Sequence, residues 1–307
     1  MLKSITTAIE FENANLFYIL VAFSLLGVLI YFFRIMDTPC TEGFTQMSKF
    51  ILKRDGDAYD DFYAHIYDQI HLPEDRCSKE LKLIVDATSA DDTSVFLDVG
   101  SGTGETLKTL DAGGFRCFGI DKSQAMIEKA TEKCGKQVKI KRADVLDAMN
   151  YDKYTFSHIL CLYHTIYEIE NKSKFFQNCR YWLKNGGVLV IHLVDKKRFN
   201  TVAPAGNPAF IDNPQKHVKE RIVKSKIDFL DFVYDSKYDI KDGPVSTIME
   251  KFTDSATKKV RQNERRLFME SEDDILKMAT NEGFTLYGKI NLEPVSHDEY
   301  QSLYMLV

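Results

Sequence analysis

The chain has 307 residues, 44% of them hydrophobic, and a formal net charge of -5 at pH 7. This length allows one large or two small domains. The acidic balance argues against a general nucleic-acid binder, which usually carries a basic surplus. The six cysteines form no C-x-x-C pair, so we expect reduced, structural thiols and no metal site.

An uncharged run near the N-terminus, from Leu16 to Phe33, predicts a membrane-spanning helix. At 1.5 Å per residue, about 18 residues span roughly 27 Å, close to the thickness of a bilayer core. The preceding segment carries Lys3 against Glu10 and Glu12, unlike the basic start of a signal peptide. Basic residues follow the run, so the positive-inside rule places the remaining chain on the cytoplasmic side of a membrane.

We therefore expect a tail over residues 1–15, a single transmembrane helix over 16–34, a linker over 35–57 and one α/β domain over 58–307. Near-continuous apolar runs predict parallel strands covered by helices on both faces. These strands are expected at 95–98, 115–120, 138–142, 155–162 and 188–194. Helical patterns precede or separate them at 58–70, 78–87, 105–110, 123–133 and 171–183.

Residues 195–271 predict an antiparallel sheet inserted after the fifth strand. Alternating polar and apolar residues occur over 226–238, 245–253 and 259–269, and a possible helix precedes them around 215–223. A helix over 272–282 and a strand pair over 284–290 and 300–307 then complete a seven-stranded, mostly parallel sheet.

Three glycines follow the first strand at alternate positions in DVGSGTG, and the second strand ends in Asp121. A carboxylate at a strand end can accept both hydroxyls of a ribose. The dinucleotide pattern G-x-G-x-x-G needs a third glycine, but Glu105 or Leu107 stands there. Glu105 would also repel a diphosphate, so the sequence predicts a nucleoside ligand without a pyrophosphate.

DVGSGTG matches the first motif, (D/E)-x-G-x-G-x-G, of the class I S-adenosylmethionine-dependent methyltransferases, and the chain resembles their small-molecule members. The resemblance implies a Rossmann-like fold with S-adenosylmethionine as cofactor. It implies that Asp98 lies near the donor ammonium, Asp121 at the ribose and Asp144 at the adenine amine. An N-cap or a solvated loop carboxylate is the alternative for each acid. The expected cofactor-binding residues are Asp98, Gly100, Ser101, Gly102, Thr103, Gly104, Asp121, Lys122, Asp144, Val145, Cys161, Tyr63 and Tyr67.

Two histidines are candidates for catalysis. His164 follows the fourth strand and could act as a general base or orient the acceptor, although a packed or capping histidine is the alternative. His192, at the end of the fifth strand, faces either the acceptor pocket or a covering helix. Tyr63 and Tyr67 share a helix face with Tyr59 and could cover the donor, although a core-facing stripe is more common.

The sequence thus predicts a membrane-anchored methyltransferase that transfers a methyl group to a small-molecule acceptor by in-line displacement. A membrane lipid or isoprenoid acceptor is the alternative within the enzyme class. A catalytically silent, donor-binding membrane scaffold is the alternative outside it. The intact glycine loop and Asp121 favour the enzyme. No nucleic-acid partner is expected, and the oligomeric state stays open.

Overall fold

The computed structural model describes residues 18, 20–27, 44, 48–207 and 213–307. The chain divides into two compact units, Met1–Glu42 and Gly43–Val307. In the first unit, residues 18 and 20–27 are helical and exposed. Among the residues described, no helix is long and apolar enough to cross a bilayer. Half of the predicted span from Leu16 to Phe33 lies outside them, so the transmembrane helix gains no support and stays a prediction.

The second unit contains two β-sheets. Its strands in chain order are β1 (Phe50–Arg54), β2 (Val95–Val99), β3 (Arg116–Asp121), β4 (Lys139–Arg142), β5 (Phe156–Cys161), β6 (Leu183–Val194), β7 (Lys224–Asp228), β8 (Phe232–Asp239), β9 (Val245–Asp254), β10 (Val260–Phe268), β11 (Leu286–Asn291) and β12 (Gln301–Leu306). The central sheet has seven strands in the order β11-β12-β6-β5-β2-β3-β4. Strands β2 to β6 run parallel, and β12 is antiparallel to both its neighbours. The predicted seven-stranded, mostly parallel sheet is confirmed.

Helices cover both faces of the central sheet, as predicted. In chain order they are α1 (Asp61–His71), α2 (Pro73–Thr88), α3 (Glu105–Ala112), α4 (Gln124–Cys134), α5 (Thr165–Glu168), α6 (Lys172–Trp182), α7 (Glu272–Asn281) and α8 (Glu293–Ser296). Side chains of α2 and α3 pack in one apolar cluster, and those of α6 and α7 pack in another on the opposite face. Ser123 and Asn171 cap α4 and α6 by accepting hydrogen bonds from backbone N–H groups in the first turn.

The second sheet is the predicted insertion with one added strand. Its order is β1-β10-β9-β8-β7, and the four strands after β6 pair antiparallel. Strand β1, which the sequence analysis placed in the linker, pairs parallel with β10. A strand of five residues, FILKR, is too short to show a clear alternating pattern. Its pairing with a distant strand cannot be detected from the neighbouring sequence.

The possible helix around residues 215–223 is wrong. Only Pro214–His217 forms a short 3₁₀ turn, and Val218 continues in an extended conformation. The Asn213 side chain accepts a hydrogen bond from the N–H of Gln215, and Gln215 in turn accepts one from the N–H of Ile222. These local hydrogen bonds satisfy backbone groups that a helix would have paired.

Candidate active site

The loop after β2 depends on its glycines. Gly100, Gly102 and Gly104 have φ of +66°, +51° and +83°, where other residues are strained. A Cβ on Gly100 would lie 2.6 Å from Cγ2 of Thr165, and one on Gly104 would lie 2.7 Å from Cβ of Ala130. A Cβ on Gly102 would meet only a backbone oxygen at 3.9 Å, so this Cα faces open space. The middle of the loop can therefore approach a ligand closely.

Asp121, at the end of β3, is oriented by two backbone N–H groups. Oδ2 accepts a hydrogen bond from Gly102 at 2.9 Å, and Oδ1 accepts one from Ser123 at 2.8 Å. Burial raises the pKa of this carboxyl, while the two hydrogen bonds oppose that effect. The predicted acid and the glycine loop therefore form one structural unit.

A cavity of about 1070 Å³ opens at the carboxyl ends of the parallel strands, beneath α1 and beside the second sheet. In open α/β sheets this edge is where ligands bind. Asp144 lies here in an ion pair with Lys122 at 3.0 Å, and its other oxygen accepts a hydrogen bond from the N–H of Leu146. The predicted site residues that line the cavity are Gly100, Gly102, Asp121, Lys122, Asp144, Val145, Tyr67 and His164.

Besides Tyr63, five of the residues predicted to bind the donor do not line the cavity: Asp98, Ser101, Thr103, Gly104 and Cys161. Asp98 is 3% exposed, and burial together with the nearby charge of Asp121 raises its pKa to about 8, although a hydrogen bond with Thr106 opposes the shift. Ser101 and Thr103 are buried within the loop, and Cys161 is buried in β5. These residues lie behind the cavity wall, where they determine the shape of the loop and support it.

The cofactor-binding role predicted for Tyr63 does not fit its position. Its side chain is fully buried and does not line the cavity. Its hydroxyl donates a hydrogen bond of 2.8 Å to Glu250 and lies 3.2 Å from both Arg265 and His71. The sequence pattern placed Tyr63 on the correct aromatic face, but long-range charged partners hold the ring inside the protein. Tyr67, one turn later, lines the cavity.

His164 and His192 lie side by side, with ring centroids 5.6 Å apart. His164 lines the cavity, whereas His192 is fully buried behind it. Within the described chain, Nε2 of each ring has no hydrogen-bond partner. Burial, then the nearby charge of Arg76, lowers the pKa of His164 to about 3 and also lowers that of His192. Both rings are therefore neutral at neutral pH, so His164 suits hydrogen-bond acceptance better than proton transfer.

Arg76, which the sequence analysis did not identify, lies beside the two histidines and lines the cavity. Its Nε donates a hydrogen bond of 2.5 Å to Glu80, and Nη2 lies 3.5 Å from Nδ1 of His192. The guanidinium group also lies over the ring of Tyr163 at 4.8 Å. Nothing in the sequence distinguishes this arginine from the other charged residues of α2.

A second buried arginine, Arg265, is also a cavity residue that the sequence did not predict. It forms ion pairs with Glu250 at 2.9 Å and with Glu168 at 2.7 Å, and it donates a hydrogen bond to the hydroxyl of Tyr59. Burial opposes the charge on Glu250, but Arg265, His71 and the hydrogen bonds from Tyr63 and Tyr234 together outweigh burial and lower the pKa of the carboxyl. His71 also lines the cavity. It follows Tyr67 at the same spacing of four residues that separates Tyr59, Tyr63 and Tyr67, and this spacing is the sequence pattern that could have identified it as a cavity residue.

The cavity wall fits the predicted donor. The open face of Gly102, the carboxylate of Asp121 and the exposed part of Asp144 follow one another along it in the expected order. Asp98 lies behind this wall, so direct contact between its carboxyl and the donor ammonium does not fit its position. The other three residues, which would hold S-adenosylmethionine, are present together along the wall.

Comparisons with known proteins agree with this arrangement. Residues 96–187 match a family model described as a methyltransferase domain. No curated protein sequence matches the chain significantly. The fold is similar to an S-adenosylmethionine-dependent methyltransferase from Clostridium acetobutylicum, with 18% identity, a TM-score of 0.60, and coverage of 80% of this chain and 96% of that one.

Two further solved structures share the fold. The CcbJ methyltransferase from Streptomyces caelestis has 17% identity and a TM-score of 0.61, and the match covers 81% of this chain and 97% of that one. CalS10 from Micromonospora echinaspora, an amino pentose methyltransferase solved with S-adenosylmethionine bound, has 18% identity and a TM-score of 0.52 over 76% and 90% of the two chains. The family match over residues 96–187 confirms the predicted methyltransferase class, and the predicted Rossmann-like fold is shared with these solved S-adenosylmethionine-dependent methyltransferases.

Proposed function

We propose that the protein transfers the methyl group of S-adenosylmethionine to a small-molecule acceptor bound between His164 and the second sheet. The observation that carries this proposal is the continuity of the cavity. It extends from the glycine loop and Asp121 past His164 to Tyr234, Tyr238 and Arg265. Its volume of about 1070 Å³ is at the upper end of the range for small-molecule sites. It has room for the donor and a modest acceptor together.

The residues around the acceptor end can orient a nucleophile and exclude water. The bound donor supplies an electrophilic methyl group, so the protein must align the acceptor atom with it at near contact. The free Nε2 of His164 can accept a hydrogen bond from an acceptor N–H or O–H group. Aromatic side chains of Tyr67, Tyr234 and Tyr238 enclose this end of the cavity, which limits the access of water.

The test is to incubate the full-length protein with methyl-labelled donor and separate fractions of water-soluble metabolites and lipids. Label in a water-soluble fraction, lost in Asp121→Ala, is the expected result. Label confined to the lipid fraction would instead favour the membrane-lipid alternative. Donor binding by calorimetry without transfer to any fraction would favour the donor-binding scaffold. A shortened chain should begin before Phe50, because β1 belongs to the second sheet.

We further propose, from the sequence alone, that the run from Leu16 to Phe33 anchors the protein with its catalytic domain on the cytoplasmic side. The test compares membrane fractionation of the full chain with that of a chain lacking residues 1–34. Alkaline extraction should leave only the full chain in the membrane fraction. Asn171-Lys172-Ser173 is an N-glycosylation triplet, so glycosylation at Asn171 in a microsomal assay would contradict the cytoplasmic placement.

A further inference from the structure

Four polar side chains join α1 to the donor-binding side of the domain. Asp68 of α1 accepts a hydrogen bond of 2.6 Å from the hydroxyl of Thr103 in the glycine loop. Lys133 of α4 donates to Asp68 at 2.6 Å, to Glu105 at 2.9 Å and to Thr103 at 3.4 Å. Asp68, Thr103, Glu105 and Lys133, named here the Asp68 cluster, therefore connect α1, the loop, the start of α3 and the end of α4.

The Asp68 cluster differs from an ordinary surface ion pair. Thr103 and Glu105 are only 4% and 7% exposed, and the side chains of Lys133 and Asp68 are 20% and 42% exposed, so water reaches the cluster mainly at Asp68. Burial opposes the charge of Lys133, but its hydrogen bonds to Asp68 and Glu105 outweigh burial and raise its pKa. The second oxygen of Glu105 pairs with Lys108 at 3.1 Å. Two carboxylates thus face two ammonium groups, and the exposed Glu74 also pairs with Lys108 at 3.4 Å.

Glu105 therefore has a role in this cluster. It stands where the dinucleotide pattern would require a glycine, and in this chain its carboxylate pairs with the two lysines. Thr103, two residues earlier, is fixed by the same cluster. The neighbouring Gly102 donates its N–H to Asp121. The loop is consequently held on one side by Asp121 and on the other by α1.

Helix α1 is fixed to the second sheet as well. The hydroxyl of Tyr63 donates a hydrogen bond to Glu250 of β9 and lies within hydrogen-bond distance of Arg265 of β10. Tyr67, the residue before Asp68, lines the cavity. A change in the contact between Asp68 and Thr103 would therefore act on the cavity wall and on the donor loop together.

We propose that Asp68 is a positioning residue that docks α1 onto the glycine loop and thereby slows the release of S-adenosylmethionine. Asp68 does not itself line the cavity, so it acts through Thr103 and through the position of Tyr67. The inference rests on the donor site and not on the identity of the acceptor.

The test measures donor affinity by calorimetry and donor dissociation by stopped flow, using full-length variants. Because Asp68→Ala removes the charged acceptor of the Thr103 hydroxyl, it should raise both the Kd and the dissociation rate about tenfold or more. Thr103→Val should have a similar effect. The double variant should bind the donor no more weakly than Asp68→Ala alone, since each substitution removes the same contact between Asp68 and Thr103.

Two further variants separate positioning from simple stability. Asp68→Asn keeps an oxygen for the hydroxyl of Thr103 but loses the charge that pairs with Lys133, so its effect should be intermediate. Glu132→Gln, which removes the exposed ion pair with Lys129, should leave donor binding unchanged. If Asp68→Ala lowers only the melting temperature while the Kd and dissociation rate stay within twofold of the wild type, the proposal is overturned.

Discussion

The backbone N–H of Gly102 donates a hydrogen bond of 2.9 Å to Oδ2 of Asp121, which ties the glycine loop to the end of β3. Oδ1 accepts from Ser123 at the first turn of α4, so each carboxylate oxygen already has one fixed partner. Each oxygen keeps a second lone pair that can accept a hydrogen bond. Asp121 thus combines a structural role in the loop with the capacity to bind two ribose hydroxyls.

Replacement of Asp121 by asparagine should weaken donor binding. The amide nitrogen cannot accept a hydrogen bond, so the contact with Gly102 or the one with Ser123 is lost, together with one acceptor for a ribose hydroxyl. We expect the Kd for S-adenosylmethionine to rise at least about tenfold, as for other hydrogen bonds to charged groups. Calorimetry on Asp121→Asn measures the change, and Asp152→Asn, at an exposed position, is the matched control. Equal affinities for wild type and Asp121→Asn would refute the assignment.

Asp98 should make the stability of the donor-free protein fall with rising pH. Burial raises its pKa to about 8, whereas the unfolded chain loses this proton near the ordinary value of 3.8. The folded form therefore holds an extra proton between these values, and its advantage is lost as the pH rises toward 8. The free energy of unfolding should fall relative to Asp98→Asn by up to about 1.4 kcal/mol per pH unit.

Denaturant unfolding of both proteins at several pH values from 4 to 9 measures this difference. The gap between Asp98→Asn and the wild type should widen up to about pH 8, where the pKa of Asp98 lies, and then level off. Asp152→Asn should show no such widening. A constant gap would mean that Asp98 is already ionised in the folded protein.

His164 should contribute to methyl transfer without setting its pH dependence. In the assay with the labelled acceptor fraction, His164→Ala should reduce kcat by about 10- to 100-fold, because misplacement of a reactant by 1 Å can cost that much. The donor Kd should not change. With a pKa of about 3, the ring is already neutral at pH 5. The pH profiles of the wild type and His164→Gln should therefore run parallel between pH 5 and 8. A break near pH 6.5 in the wild type alone would identify a titrating base instead.

Local sequence patterns were sufficient for the central sheet and for placing Gly102, Asp121 and Asp144 at the cavity, but not for the loop residues that face away from it. The two apolar runs stop at Asp98, the next-to-last residue of β2, and at Asp121, the last residue of β3, and the alternate glycines after Asp98 predict the loop between β2 and α3. Parallel strands place these ends at one edge of the sheet, so chain order alone brings Asp121 and Asp144 to one cavity.

The acceptor side was harder to predict because its geometry depends on long-range contacts. Tyr63 is drawn inward by Glu250 and Arg265, which lie nearly two hundred residues or more away in sequence. Whether His192 faces the pocket depends on the side of β6 on which it lies, and a nearly continuous apolar strand hides this parity. Polar and apolar residues alternate along β9 and β10, but this pattern does not reveal that Glu250 and Arg265 both face inward and form an ion pair.

The buried lysine Lys172 should be important for stability. Its side chain is fully buried, and its Nζ lies 2.7 Å from Glu270 and donates hydrogen bonds to the carbonyls of Ile169 and Phe268. Burial lowers the pKa of Lys172, while Glu270 opposes that shift.

Lys172→Ala leaves a carboxylate and two carbonyls without their partner, so it should lower the free energy of unfolding, measured with denaturant, by about 3–5 kcal/mol. Lys129→Ala, which breaks an exposed pair, should cost less than about 1 kcal/mol. The double variant Lys172→Met, Glu270→Leu should recover much of the lost free energy of unfolding, because it removes both charges of the pair. Equal losses for Lys172→Ala and Lys129→Ala would show that the buried pair contributes no more than a surface pair.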